Sequence, residues 1–187
     1  MAASTTEPAT ATDERLLLER LARGDPAAFD VLVTQHQQRV AGLVYRLLGW
    51  RRDVEDVVQD VFVAALQGLP KFRGECQLAT WLFRITINEC RRVSRRRWWR
   101  LSLPVADVEA RPADAATGLD DDTARQVRAA VGRLPSGHRE VVVLRYLEDL
   151  PIVEIGQILG LSRNAVEVRL NRARQRLKGV LAPMLED

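Results

Sequence analysis

The sequence predicts an all-α fold, built from two small helical domains that a flexible acidic linker joins. Apolar residues recur at helical spacing through most of the chain. One central segment instead combines small residues with an excess of acids, which is typical of a linker. The chain has 187 residues, of which 47% are hydrophobic, enough for one or two domains with buried cores. We therefore divide it into a disordered tail, a first domain, a linker and a second domain, at residues 1–13, 14–101, 102–122 and 123–187.

The first predicted helix follows the small, polar residues 1–13, which we expect to be disordered because they offer little to bury. In the stretch DERLLLERLARG, Leu16, Leu17 and Leu21 lie at helical spacing and form the predicted buried face. Gly24 is the last residue of this stretch and is expected to end the helix.

The second and third helices are delimited by capping residues. Asp25 is the predicted N-cap of the second helix, and Pro26 occupies its first position. This helix is expected to run to about Leu48, with Gly49 beyond it. Asp53 then caps the third helix, which contains the stretch VEDVVQDVFVAAL.

The third helix has two contrasting faces. Its apolar face is formed by Val54, Val57, Val58, Val61, Phe62 and Ala65. Asp56, Gln59 and Asp60 share another face, at i, i+3 and i+4 spacing. From the residues alone, a solvated surface is the favoured explanation of this polar face, and a partner surface is the alternative.

A loop and a long basic helix complete the first domain. The loop PKFRGECQ holds Pro70 and Gly74, and the helix LATWLFRITINECRRVSRRRWWR follows it, with Trp81 in the predicted core. Residues 91–100 contain six arginines and no acid. We favour contact with nucleic-acid phosphates over a merely solvated run. Trp98 and Trp99 fit stacking on DNA, packing on the second domain or contact with an inhibitor.

The linker and a helix-turn-helix follow. Residues 102–122 carry six acids and one arginine. In residues 151–177, Gly160 ends a short helix and Ser162 caps a second one, while the small Gly156 allows the two helices to approach closely. The buried stripe of the second helix is Val166, Leu170, Ala173 and Leu177. Its other faces carry Arg163, Asn164, Glu167, Val168, Asn171 and Arg172. An ordinary helical hairpin with a basic solvated face is the less favoured alternative.

Several classes of site are absent from the sequence. Cys76 and Cys90 lack metal-ligand spacing, and reduced thiols of a cytoplasmic protein are the default reading. His36 and His138 have no partner that would make a metal or catalytic site, and no nucleophile elbow or glycine-rich phosphate loop is present. We therefore expect no cofactor and no enzymatic activity. No apolar run approaches membrane-spanning length.

The order of these segments resembles the extracytoplasmic-function sigma factors of bacterial RNA polymerase, from about Glu14 onward. The resemblance rests on GDPAAFDVLV, DVEDVVQDVFVAAL, KFRGECQLATWLFRITINECRR, LPSGHREVVVLRYLEDL and the helix-turn-helix. It implies that the first domain is sigma region 2, which binds core RNA polymerase and the −10 promoter element. The second domain is then sigma region 4, which binds the −35 element. A two-domain helix-turn-helix regulator that does not replace a sigma factor is the alternative.

The resemblance also implies a role for particular side chains. The polymerase-binding surface would contain Asp56, Gln59, Asp60 and Val63. The −10 DNA surface would contain Phe72, Arg73, Asn88, Arg91, Arg92 and Arg95. The −35 surface would be the outward residues of the second helix, Arg163, Asn164, Glu167, Val168, Asn171 and Arg172. Glu167 departs from the basic residue found there in many relatives. The implied partners are core polymerase, promoter DNA and, as for many members, an anti-sigma factor.

Overall fold

The computed structural model describes residues 7–49, 54–101 and 121–181, and these residues are all-α, as predicted. They form eight α-helices: α1 (Glu7–Ala22), α2 (Pro26–Leu48), α3 (Val54–Gly68), α4 (Leu78–Leu101), α5 (Asp121–Gly132), α6 (Ser136–Tyr146), α7 (Ile152–Leu159) and α8 (Arg163–Leu181). A single 3-10 turn, Leu69–Lys71, follows α3. We call α1–α4 the N-terminal unit and α5–α8 the C-terminal unit. The predicted cap Asp53 and most of the predicted linker lie outside the described residues.

The bounds of α2 are those that the sequence predicts. The Asp25 side chain accepts a hydrogen bond from the Ala27 backbone N–H at 3.0 Å, and Pro26 begins the helix. At the other end Gly49 adopts the left-handed conformation and its N–H donates to the Tyr45 carbonyl. Both signals are local, because each depends only on residues within one helical turn.

Two expectations for α1 are wrong. The helix begins at Glu7, so residues 7–13, predicted as disordered tail, are helical. Ala9 and Ala11 favour a helix here, and Pro8 lies in its first turn, where proline is tolerated. Leu16 is 54% exposed, whereas Leu17 and Leu21 are buried and Leu18 packs partly against the same core. Three consecutive leucines cannot all lie on one helical stripe. Packing against the core buries the side of α1 that carries Leu17 and Leu18 and leaves Leu16 in solvent.

The C-terminal unit contains the predicted helix-turn-helix. Gly160 has φ +67° at the end of α7, and the Ser162 hydroxyl accepts a hydrogen bond from the Ala165 N–H at 3.2 Å. A Cβ atom on Gly156 would lie 2.8 Å from the Leu161 carbonyl oxygen. The small residue therefore accommodates the backbone of the turn itself. The predicted buried stripe of α8 is confirmed, with Val166, Leu170 and Ala173 buried and Leu177 half-buried.

The two units pack against each other and share one apolar cluster. α4 contacts α7, and α2 contacts α6. Val40, Leu43 and Leu47 of α2 belong to the same cluster as Leu144 of α6 and Ile155 of α7. This contact brings α7 beside the loop that precedes α4.

Candidate nucleic-acid interfaces

The polar face of α3 is open to solvent. Asp56, Gln59 and Asp60 are exposed, and Val63 next to them is 47% exposed. Leu66, one turn further along, is 52% exposed and was not singled out from the sequence. Acidic and apolar side chains therefore share one accessible surface, which suits a partner that is both basic and apolar.

The acidic face of α3 meets the basic end of α4 through one ion pair. Arg92 donates to Asp60 at 2.6 Å and also to Glu89 of its own helix. The Asp60 side chain is half-exposed, and ion pairs in water contribute little to stability. Either residue is thus able to exchange this contact for one with a partner.

A cavity of about 590 Å³ lies beside the loop before α4. The Phe72 and Trp81 rings form one wall, with their centroids 4.9 Å apart and their planes inclined at 40°. Trp81 is buried, as predicted, and bounds the cavity as well as the core. The lining residues are Lys71, Phe72, Arg73, Glu75, Cys76, Thr80, Trp81, Arg84 and, from α7 of the C-terminal unit, Gln157.

The lining suits an unstacked nucleobase with its phosphate. Aromatic rings offer a stacking surface, and Lys71, Arg73 and Arg84 supply positive charge. Phe72 and Arg73 were expected here, whereas Asn88 lies outside the lining, exposed one turn beyond Arg84 on α4. Lys71, Thr80 and Arg84 were missed by sequence reasoning. Arg84 could have been found from the helical period, because it lies four residues before Asn88 and therefore on the same face of α4.

The arginines of α4 differ in their surroundings. Arg95 is exposed, and Arg92 is held by Asp60 and Glu89. Arg91 donates from Nε and Nη2 to the two carboxylate oxygens of Glu140, at 2.8 and 2.7 Å, and this pairing raises the pKa of Arg91. Glu140 belongs to α6, so Arg91 makes its contact across the two units. Arg97 to Arg100, including Trp98 and Trp99, have side chains outside the described set.

The second helix of the helix-turn-helix presents the six expected residues to solvent. They are Arg163, Asn164, Glu167, Val168, Asn171 and Arg172, all exposed. Arg163 donates to Glu167 at 3.0 Å, which is the same-helix pairing that competes with a role for Glu167 in reading bases.

Further arginines, beyond the six expected residues, lie along α8. Burial and the positive charges of Arg176, Arg169 and Arg172 lower the pKa of His138 at the start of α6. Arg169 and Arg176 were not singled out from the sequence. Spaced by about two helical turns, they extend the basic surface of α8 beyond the six expected residues.

Within the described residues, no group of three or more histidine, cysteine or acidic side chains could hold a metal ion. Cys76 and Cys90 are free thiols, and burial, aided by Glu140 and Glu89, raises the pKa of Cys90 to about 12. No helix in the described ranges combines the length and apolar character needed to cross a membrane.

Comparisons with known proteins match both units. Residues 32–100 match the family model of sigma-70 region 2, and residues 124–177 match that of sigma-70 region 4. The chain is 31% identical to the RNA polymerase sigma-H factor of Pseudomonas aeruginosa, over 95% of this chain and 98% of that protein. It is 32% identical to the ECF RNA polymerase sigma-E factor of Haemophilus influenzae, over 92% of this chain and 97% of that protein.

Solved structures give the same result. CnrH, in complex with the cytosolic domain of CnrY, is 34% identical with a TM-score of 0.68, and the match covers 91% of this chain and 97% of CnrH. The sigma factor RpoE of Bartonella quintana, in complex with the anti-sigma factor NepR, is 23% identical with a TM-score of 0.67. Its match covers 82% of this chain and 96% of RpoE, and shows the shared fold. The chain therefore belongs to the RNA polymerase sigma factors of the extracytoplasmic-function group, with regions 2 and 4, and it directs promoter-specific transcription initiation.

Proposed function

We propose that this sigma factor divides its work among three surfaces: α3 binds core polymerase, the loop before α4 captures a −10 base, and α8 reads the −35 element. The cavity beside Phe72 is the observation that carries the assignment. It combines an aromatic wall with three basic side chains, which a regulator acting only through a helix-turn-helix does not need. The sigma-factor function is accordingly favoured over such a regulator, and catalysis of RNA synthesis is left to the polymerase.

The exposed face of α3 is the proposed polymerase surface. Asp56, Gln59 and Asp60 provide charge and hydrogen bonds, while Val63 provides an apolar contact. Leu66 extends the apolar part of the same surface. Interfaces that combine an apolar centre with acidic groups select a basic partner and orient it.

The cavity is the proposed site of −10 base capture. An unpaired base would stack on Phe72, and Arg73 would accompany its phosphate, with Arg91, Arg92 and Arg95 continuing the basic track along α4. Asn88 is proposed to contact a neighbouring base, because its amide is exposed one turn from the cavity.

The N-terminal end of α8 is the proposed −35 reader. In a helix-turn-helix, the start of the second helix enters the major groove, where Arg163 and Asn164 meet base edges first. Glu167, Val168 and Asn171 follow one turn deeper. Arg172 and the stripe that contains Arg169 and Arg176 are placed for phosphates, since they diverge from the reading face.

We further infer a cytoplasmic location, where the polymerase acts, and control by an anti-sigma factor. The second inference rests on the resemblance to the family and on CnrH, which is 34% identical and was solved in complex with the cytosolic domain of CnrY. Binding of purified candidate anti-sigma proteins to the full-length chain tests this second inference directly.

The deciding experiment for the polymerase surface is transcription in vitro with core polymerase and a genomic promoter library. Reversal of charge in Asp56→Arg with Asp60→Arg should abolish core binding and all promoter-specific transcripts, because it opposes a basic partner. Asp30→Arg, a matched reversal of an exposed carboxylate on α2, should retain both. Circular dichroism verifies that each variant is folded. Core binding at wild-type affinity by the α3 variant would remove α3 from the interface.

A further inference from the structure

Two carboxylates of the C-terminal unit are buried at the contact between the units. The side chain of Glu140 on α6 is 7% exposed, and that of Glu148, in the turn after α6, is 3% exposed. Buried carboxylates are rare unless they are paired, because loss of water destabilises the charge. Both have their partners on the N-terminal unit.

The pairs are specific in geometry. Glu140 receives a two-pronged contact from Arg91, whose Nε and Nη2 lie 2.8 and 2.7 Å from its oxygens. Glu148 is shared by Arg39, at 3.3 Å, and Arg46, both from α2. Such forked contacts fix orientation as well as distance.

In a further contact between the units, the C-terminal unit supplies the hydrogen-bond donor. Arg139 of α6 donates to the Leu47 carbonyl oxygen at 2.6 Å, near the C-terminal end of α2. The Arg39 guanidinium also lies over the Phe83 ring, 4.8 Å from its centroid, which positions it toward Glu148. Around these polar contacts, apolar residues of α2, α6 and α7 form a continuous cluster. The apolar cluster favours association, and the ion pairs select one orientation of the two units.

This orientation occupies the proposed −10 surface. A carboxylate paired with Arg91 holds the guanidinium donors that a phosphate would use. Gln157 of α7 lines the cavity beside Phe72, so a strand that enters the cavity would run against the C-terminal unit. This placement therefore occupies Arg91 on the basic track and puts α7 at the edge of the stacking site.

We propose that Glu140 and Glu148 latch the free sigma factor in a closed arrangement that excludes the −10 single strand. The latch opens when the C-terminal unit leaves the N-terminal unit, which frees Arg91 and removes α7 from the edge of the cavity. This regulation acts on the −10 site of the proposed function and rests on that assignment. It needs no second protein, because the inhibitory group is part of the same chain.

The test compares the full-length wild type with Glu140→Gln/Glu148→Gln, which keeps side-chain volume and removes both charges. Small-angle X-ray scattering of the free protein reports closure. Fluorescence anisotropy with a fluorescein-labelled, mixed-sequence single-stranded DNA reports access to the −10 site. The double variant should have a larger radius of gyration and bind the DNA about tenfold more tightly, because apparent affinity scales with the fraction of open molecules. Glu154→Gln, on α7 but outside these pairs, should match the wild type in both measurements.

Each outcome separates the possibilities. A double variant as compact as the wild type overturns the latch. An expanded variant with unchanged DNA affinity overturns the competition, and assigns the contact to structure alone. Wild-type transcription with core polymerase tests the proposed function separately, since a failed latch leaves promoter-specific transcripts in place.

A charge exchange provides a second route if the double variant loses helicity. Glu140→Arg alone should expand the molecule by placing two guanidinium groups together. Adding Arg91→Glu should restore the compact form by rebuilding the pair in reverse. Because Arg91 is itself a proposed DNA contact, these variants are scored by scattering only. Failure of the exchange to restore compactness would refute the Arg91–Glu140 component of the latch.

Discussion

At the scale of single residues, Glu167 has two possible partners. Its contact with Arg163 joins two exposed side chains four residues apart, and such pairs stabilise a helix by only about 0.3–0.5 kcal/mol. A base edge in a dehydrated groove offers more, since a well-formed contact discriminates by about 1–3 kcal/mol. The observed pair is therefore compatible with base reading, because it is readily exchanged on binding.

We predict that Glu167→Lys changes the preferred −35 sequence, because it replaces an acceptor by a donor at a base edge. Selection from a randomised −35 pool, with wild type and variant side by side, measures the preference. Glu167→Gln, which keeps an acceptor and loses the charge, serves as the control and should shift the preference less. Identical motifs from wild type and Glu167→Lys would assign Glu167 to the contact with Arg163 alone.

Phe72 is the residue whose removal should most directly affect the cavity. Phe72→Ala should weaken −10 single-strand binding by holoenzyme roughly 5- to 150-fold, because stacking on an aromatic ring contributes about 1–3 kcal/mol. Phe72→Tyr retains the ring and should bind nearly as well. Permanganate footprinting on duplex and pre-melted promoters gives the measurement. Asn88→Ala, outside the cavity lining, should have the smaller effect. Equal binding by Phe72→Ala and wild type would remove stacking from the mechanism.

At the scale of elements, the turn of the helix-turn-helix depends on Gly156. A methyl group there would approach the Leu161 carbonyl oxygen to 2.8 Å, and that oxygen is backbone, which cannot move without moving α8. We predict that Gly156→Ala lowers the free energy of unfolding by about 1–3 kcal/mol and weakens −35 binding.

Gly179 provides the matched control, because it lies in α8 with no atom near an added Cβ. Gly179→Ala should be neutral or stabilise by about 0.5–1 kcal/mol, as expected for an open helical position. Thermal unfolding of the two variants gives the comparison. A Gly156→Ala protein as stable as Gly179→Ala would show that the turn adjusts freely.

Elements were predictable where their signals are local. The N-cap Asp25 and the left-handed Gly49 fix α2 within one turn of each end, and the same is true of Gly160 and Ser162 around the turn before α8. The face of α1 was harder, because consecutive leucines leave the choice of stripe to tertiary packing.

At the scale of the whole molecule, the contact between the units was not predictable. Glu140 and Glu148 lie in a sequence of ordinary helical character, and carboxylates in such positions are usually solvated. Their partners are 49 to 109 residues away along the chain, so no local pattern relates them. The cavity was partly predictable, because Phe72 and Arg73 belong to the loop that the sequence singles out. Gln157 was not, because it belongs to the other unit.

We predict that the two units remain together after the chain between them is cut. A specific-protease site placed within residues 102–120 would separate the units covalently, and the shared apolar cluster should keep the fragments co-eluting in gel filtration. With Glu140→Gln/Glu148→Gln the fragments should elute apart at the same concentration. Uncut protein, treated identically, controls for the inserted site. Wild-type fragments that elute separately would show that the contact has little affinity of its own.

The cross-unit ion pairs have a consequence for dosage. Covalent linkage gives one unit an effective concentration near the other on the order of millimolar, whatever the number of molecules in the cell. A weak intrinsic contact is thus sufficient for closure, and the closed fraction stays the same when the gene is expressed strongly or poorly. A separate inhibitor must be made in proportion to its target. Arg91 and Glu140 are made in a fixed one-to-one ratio each time the chain is translated. Overproduction of this factor therefore does not raise the fraction of its molecules that are open.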